Sequence, residues 1–178
     1  LTTLDLAHTS ARLTLQNIPA LRIGEVAPWR DRAAILTAFE QLGGAQRCLD
    51  DAVAYAKTRY AFGQPIGAFQ SLKHKLAALH VEVELARANA YYGASVLGGG
   101  EAEIANLASA AALARASATA TYLTVAQESL HVHGGVGFTW DCAMHLHLRR
   151  ARALEAALGS ATTWSADLLD DQALLASL

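Results

Sequence analysis

Between two long segments of helical apolar periodicity lies Phe62-Gly63-Gln64-Pro65-Ile66-Gly67. Two glycines and a proline so close together stop a helix decisively. Residues 28–60 before it read as a first helix. Pro28 suits a first-turn position, where its missing donor costs nothing. Ile35, Leu36, Phe39, Leu42, Leu49 and Val53 form one apolar stripe. Gly43-Gly44 interrupts that stripe, yet the period resumes in phase. The pair is therefore expected to mark a close helix–helix approach, at a helix cost of about 1 kcal/mol per glycine. Residues 69–97 after the loop read as a second helix, buried through Leu72, Leu76, Leu79, Val83, Ala86 and Ala90. Gly98-Gly99-Gly100 ends it, with a left-handed glycine cap expected.

A third helix is expected over about 101–130. Its Ala/Ser/Thr-rich stretch from Ala105 to Ala126 admits close neighbours and suits the centre of a bundle, and Glu101 and Glu103 favour its positive end. A glycine turn, Gly134-Gly135-Val136-Gly137, follows. Asp141 is the expected N-cap of a fourth helix over about 142–158. Gly159-Ser160 breaks it, and a short terminal helix is expected over about 161–177. Long helices joined by short loops make an all-α chain, an antiparallel four-helix bundle. Residues 1–24 alone read as strand, with two short strands expected near 2–6 and 11–16. Two strands are marginal in water, so they are expected to pair with a sheet outside the chain. The expected division is 1–24 as a β tail and 25–178 as the helical bundle.

With 53% apolar residues, the 178-residue chain forms a sizeable core without staples. Its net charge is −2, and the arginines and lysines are scattered, which speaks against a nucleic-acid partner. No run approaches 18 uninterrupted apolar residues, so no membrane span is expected. No signal peptide is visible. Cys48 and Cys142 match no metal or disulfide spacing, which points to a reducing cytoplasm. The chain starts at Leu1 rather than methionine, the expectation being a fragment or a processed chain. Four histidines, His131, His133, His145 and His147, raise the question of a metal. Residues two apart on a helix point about 200° apart, and no Cys, Asp or Glu completes a set. No metal site is expected.

Candidate binding residues cluster at the two glycine-rich turns. Arg59 closes the first helix, where any cation offsets the dipole. In company it has a second use. A pyrophosphate suits a forked donor such as Arg59, Phe62 offers a flat ring, and Gln70 offers an amide. The neighbouring glycines let backbone approach a ligand. Arg59-Tyr-Ala-Phe62-Gly63 followed by Phe69-Gln70 resembles the carboxyl-terminal helical domain of the acyl-CoA dehydrogenase family, which carries Arg-x-x-Phe-Gly, a short loop and Phe-Gln. The family's second motif, Gln-x-x-Gly-Gly-x-Gly-Phe, is similar to His131-Val132-His133-Gly134-Gly135-Val136-Gly137-Phe138, with His131 where the family has an amide. The leading strands are similar to the end of the family's middle β-domain.

The resemblance implies that Arg59, Phe62, Gln70, His131, Gly134 and Gly135 contact FAD, the first three on the flavin of a neighbouring subunit. It further implies an oligomer formed through the helical domain, an acyl-CoA substrate, and α,β-dehydrogenation within fatty-acid β-oxidation. In that chemistry a carboxylate removes the α-proton while the β-hydride passes to the flavin. Counting on from Gly134 puts Leu158-Gly159-Ser160 where many members carry the base, and counting back from Arg59 puts Ala33-Ala34 at the alternative place. Neither position holds a carboxylate, so no catalytic residue is assigned. Three readings stay open. The chain supports FAD binding and lacks its own base. Or it is a complete dehydrogenase using Glu155 or Asp31. Or it is a helical assembly module that has lost the flavin.

Overall fold

The computed structural model describes residues 3–100 and 106–169. Five α-helices occupy most of them. They are α1 (Ala27–Thr58), α2 (Gln70–Leu97), α3 (Leu107–His133), α4 (Met144–Ala156) and α5 (Ala161–Leu169). Pro28 sits in the first turn of α1, as its fixed φ favours. A two-residue ladder, β1 (Tyr60–Ala61) against β2 (Gln64–Pro65), turns the chain between α1 and α2. Phe62 and Gly63 form its tip with φ of 52° and 81°. Positive φ at both central residues matches the right-handed twist of a hairpin. A 3-10 turn, Ile66–Ala68, then leads into α2.

The alanine-rich α3 is central and touches each of the other four helices. Its small side chains leave room for close neighbours. Ala110, Ala111, Ala114, Ala118 and Ala126 are all buried, and together they seat Ile35 and Ala38 of α1 and Val83, Ala86 and Ala90 of α2. Trp164 of α5 closes one end of this core, with the Arg30 guanidinium 3.9 Å over its ring. Arg30 also pairs with Asp167, tying α1 to α5. Leu148, Ala151 and Leu154 of α4 close the other part of the core.

Three sequence expectations need correction. Residues 3–25 form no strand, and the β1–β2 ladder is the only sheet among the described residues. The alternation at Leu13 and Leu15 finds no partner among the described residues, and both side chains are exposed. What ordering this segment has comes from charge. Arg150 of α4 meets Asp5, His8 and Glu40, and Arg149 donates to the Leu4 carbonyl at 2.9 Å. Asp141 does not cap α4. Ala143 is the cap residue and supplies no side-chain bond, the intervening turn being closed by Cys142 N–H on Thr139 O at 3.2 Å. Gly98 ends α2 at φ −88°, in the right-handed region, because its N–H continues the helical bond to Ala94 O. The expected start of the third helix falls partly on residues 101–105, outside the described residues. Among the described residues no helix is long and apolar enough to cross a membrane.

Candidate functional site

The end of α1 and the end of α3 lie side by side, and the cleft between them has a volume of about 560 Å³. Its walls are Tyr55 and Arg59 from α1, Ile66 from the following 3-10 turn, and Val132 through Val136 with Thr139. Tyr55 and Arg59 are four residues apart, so they share one helix face. Arg59 is the C-cap of α1, and its backbone N–H bonds Tyr55 O at 2.8 Å. Among the described residues its exposed guanidinium has no hydrogen-bond or ion-pair partner. On the opposite wall α3 ends at Gly134, with φ of 61°. A side chain there is strained, so glycine is needed for the turn itself. Gly135 is different. It has no positive φ, and a Cβ placed on it would meet nothing within 4 Å. Among the described residues no neighbour requires glycine at 135.

His133 is buried in the cleft wall. Its Nδ1 donates to Ser129 O at 2.8 Å, and its ring stacks on Tyr55 with centroids 4.4 Å apart and planes at 27°. This stack joins α1, just before the first motif, to the second motif. The sequence reading missed both residues as site members, although Tyr55 is signalled by its spacing from Arg59 and His133 lies inside the glycine motif.

The other candidates lie outside the cleft. Phe62 stands at the hairpin tip, 96% exposed, edge-on to Phe69 with centroids 6.2 Å apart. Gln70 begins α2 and donates through Nε2 to His74 Nε2 at 2.8 Å. His131 is exposed and does not line the cleft. Its Nδ1 lies 3.5 Å from Glu128, which is also paired with Lys75 of α2. The Lys75 hydrogen bond holds the Glu128 carboxyl below its ordinary range. The structure thus brings Arg59, Gly134 and Gly135 together, and leaves Phe62, Gln70 and His131 exposed outside the cleft. The remaining histidines have separate neighbours. His145 meets Trp140 edge-on, and His147 Nδ1 lies 3.2 Å from the Tyr122 hydroxyl. No group of His, Cys, Asp and Glu among the described residues could hold a metal ion.

At the positions considered for a base, Leu158 has φ of 61° and is 40% exposed, on the turn between α4 and α5. Arg115, fully buried in α3, holds this turn from beneath by donating to the carbonyls of Leu154 and Ala157. Glu155 pairs with Arg152 at 3.0 Å. Asp31 lines a separate cavity of about 370 Å³ with Arg30, Trp164 and Asp167. Burial pushes the Asp31 carboxyl above its ordinary value and Asp167 adds to this, against the opposing pull of Arg30.

Residues 31–164 match the model of the acyl-CoA dehydrogenase C-terminal domain. The chain is 45% identical over 121 residues to acyl-CoA dehydrogenase IpdE2 of Mycobacterium tuberculosis, covering 68% of this chain and 35% of that protein. Butyryl-CoA dehydrogenase from Megasphaera elsdenii superposes with a TM-score of 0.75 at 29% identity, covering 84% of this chain and 38% of that one. The ChsE4-ChsE5 complex from Mycobacterium tuberculosis superposes with a TM-score of 0.74 at 29% identity, over 81% and 38% of the two chains. This chain therefore spans little more than a third of the length of these relatives. It belongs to the acyl-CoA dehydrogenase family, and what it spans is the family's carboxyl-terminal helical domain.

Proposed function

We propose that this chain contributes one side of an FAD site at a subunit interface of an acyl-CoA dehydrogenase, without supplying the base itself. The observation that carries the reading is Gly135. Among the described residues it is glycine with no neighbour that requires it, on the wall of a cleft whose other wall presents Arg59, unpaired among those residues. A surface that keeps both room and a forked cation suits a flat, phosphate-bearing ligand. Phe62 supports it, since a bulky residue at positive φ, almost wholly exposed, gains little from its own chain. Arg59, Gly134, Gly135 and Phe62 fit the flavin dinucleotide, which when bound supplies a two-electron acceptor for α,β-dehydrogenation of an acyl-CoA thioester. Gln70 and His131 offer further polar contacts at the rim.

Leucine at 158 can take no proton, and Glu155 is engaged by Arg152. A partner subunit carrying the carboxylate would complete the site, an arrangement in keeping with the two-component ChsE4-ChsE5 complex to which the fold is similar. One observation favours a second reading. Asp31 is a half-buried carboxylate of raised pKa on the wall of its own cavity, the kind of group that can act as a base near neutral pH. In that reading the chain belongs to a complete dehydrogenase.

A visible absorption spectrum of the purified assembly, with any partner chain co-expressed, tests the proposal. Bound flavin supports it, and bleaching by an acyl-CoA shows whether the assembly turns over. Absence of flavin after FAD is added contradicts it. Loss of bleaching in Asp31→Asn, with flavin retained, would favour the second reading.

A further inference from the structure

We propose that the cavity between the amino-terminal ends of α1 and α3 and helix α5 is a subsite for a hydroxyl group carried on the acyl part of the substrate, bound by Asp31 and by the N–H groups of Arg30 and Trp164. The inference rests on the first reading above, in which the chain belongs to an acyl-CoA dehydrogenase and supplies no base, and it names the class of acyl group.

The cavity has a volume of about 370 Å³. Its walls are mostly polar. Arg30 and Asp31 come from α1, Ser109 from α3 and Asp167 from α5, with the Trp164 ring and two alanines as the apolar part. A plain alkyl chain here would strip water from two carboxylates, a guanidinium and a hydroxyl and return no hydrogen bond. The wall also holds donors without acceptors. Arg30 Nε and Trp164 Nε1 are buried with no partner among the described residues, and Trp164 is 1% exposed. Buried polar groups nearly always find a partner. Arg30 donates to Asp167 through Nη2, and its guanidinium lies 3.9 Å over the Trp164 ring, so both donors are held in place. Two positive helix ends face the same space. Neither α1 nor α3 carries an acid in its first turn, and neither has a side-chain cap.

The cavity therefore suits an accepting oxygen. An anion is disfavoured, because Asp31 and Asp167 outnumber Arg30 among the lining charges. A hydroxyl meets both demands, accepting from an N–H and donating to a carboxylate. Burial raises the Asp31 carboxyl above its ordinary value, Arg30 opposing and Asp167 adding, and no hydrogen bond offsets this. The site also adjoins the turn at which the chain lacks a base. A Cβ on Gly159 would lie 3.4 Å from Trp164 Nε1, so the Trp164 wall abuts the Leu158-Gly159 turn. An acyl group held at that turn has this wall as its neighbour.

The test is calorimetric titration of the flavin-containing assembly, with any partner chain co-expressed, for the parent, Asp31→Ala and Trp164→Phe. The ligands are octanoyl-CoA and its mono-hydroxy derivatives hydroxylated beyond the β-carbon. In the parent at least one hydroxylated ligand should bind about tenfold tighter than octanoyl-CoA, the scale of a hydrogen bond. Asp31→Ala should remove most of that preference, by tightening the plain ligand as well as loosening the hydroxylated one. Trp164→Phe keeps a ring under Arg30 and removes the N–H, and should reduce the preference. Octanoyl-CoA binding the parent as tightly as every hydroxylated ligand would overturn the proposal, and so would a preference that survives Asp31→Ala. An assembly that holds no flavin, or that binds none of these acyl-CoAs, contradicts the dehydrogenase reading itself and the inference with it, a result distinct from either of these.

Discussion

The Tyr122 ring occupies the space that a side chain at Gly44 would need. A Cβ on Gly44 would overlap the ring and its hydroxyl, whereas one on Gly43 would meet nothing within 4 Å. Adjacent glycines on one helix therefore have opposite reasons to exist. Gly44→Ala should destabilise the chain by about 1–3 kcal/mol, because the ring is buried and cannot move freely. Gly43→Ala should stabilise it by about 1 kcal/mol through helix propensity alone. Paired urea denaturation curves check both signs.

Arg115 is a buried cation that relies on dipoles. It donates to Gln41 Oε1, to Thr119 Oγ1 at 2.7 Å, and to the carbonyls of Leu154 and Ala157. No carboxylate pairs with it among the described residues, and burial lowers its pKa to about 10. Arg115→Ala should remove about 3 kcal/mol or more, through the cavity and the orphaned acceptors. Hydrogen exchange at residues 156–160 should speed up disproportionately, since Arg115 pins that turn. Uniform acceleration over the whole chain would contradict the pinning role.

Cys48 gives the alkaline limb of stability. Burial pushes its thiol from 9.0 up to about 12. A raised folded pKa means the folded state keeps its proton while the unfolded state loses it. The contribution is thus fully present below pH 9 and is lost as pH rises towards 12. The loss should be on the order of 4 kcal/mol, at about 1.4 kcal/mol per unit. Tyr122, raised by its own burial, acts in the same direction. Arg115, lowered by burial, opposes both where it deprotonates first in the folded state. Cys48→Ala should flatten the fall in stability between pH 9 and 12, read from denaturation midpoints at each pH.

Arg59 separates binding from folding. It lies past the last turn of α1, exposed and unpaired among the described residues. Arg59→Ala should weaken flavin retention by about tenfold or more, the scale of a charge-assisted bond to phosphate. Its melting temperature should change little. Unchanged flavin content with a lower melting temperature would make Arg59 a helix cap only.

The helices were legible because their apolar periods are long and their ends carry glycine or proline. Pro28 at the start of α1 and the Gly63–Gly67 stop marked α1 and α2 closely, and the small residues of α3 correctly announced a central helix. The close approach expected at Gly43-Gly44 is real at Gly44. The leading strands are not formed among the described residues, because pairing is a long-range event and the sheet they were expected to join lies outside the chain. Asp141 failed because local turn bonds at Thr139 and Cys142 displaced the start of α4. Among the candidates, Arg59, Gly134 and Gly135 were singled out from order along the chain, and the fold brings them to one cleft. The Tyr55–His133 stack and the Arg115 network could not, since each joins helices far apart in sequence through side-chain geometry alone.

Gly135 tests the central claim most directly. Gly135→Leu places a side chain into open space, so the apo assembly should fold and melt as the parent does. Its affinity in an FAD titration should fall by at least about tenfold, equivalent to about 1.4 kcal/mol, because the cleft is then filled. Parent-like FAD affinity in Gly135→Leu would show that the cleft between Arg59 and the glycine turn is not where the flavin binds.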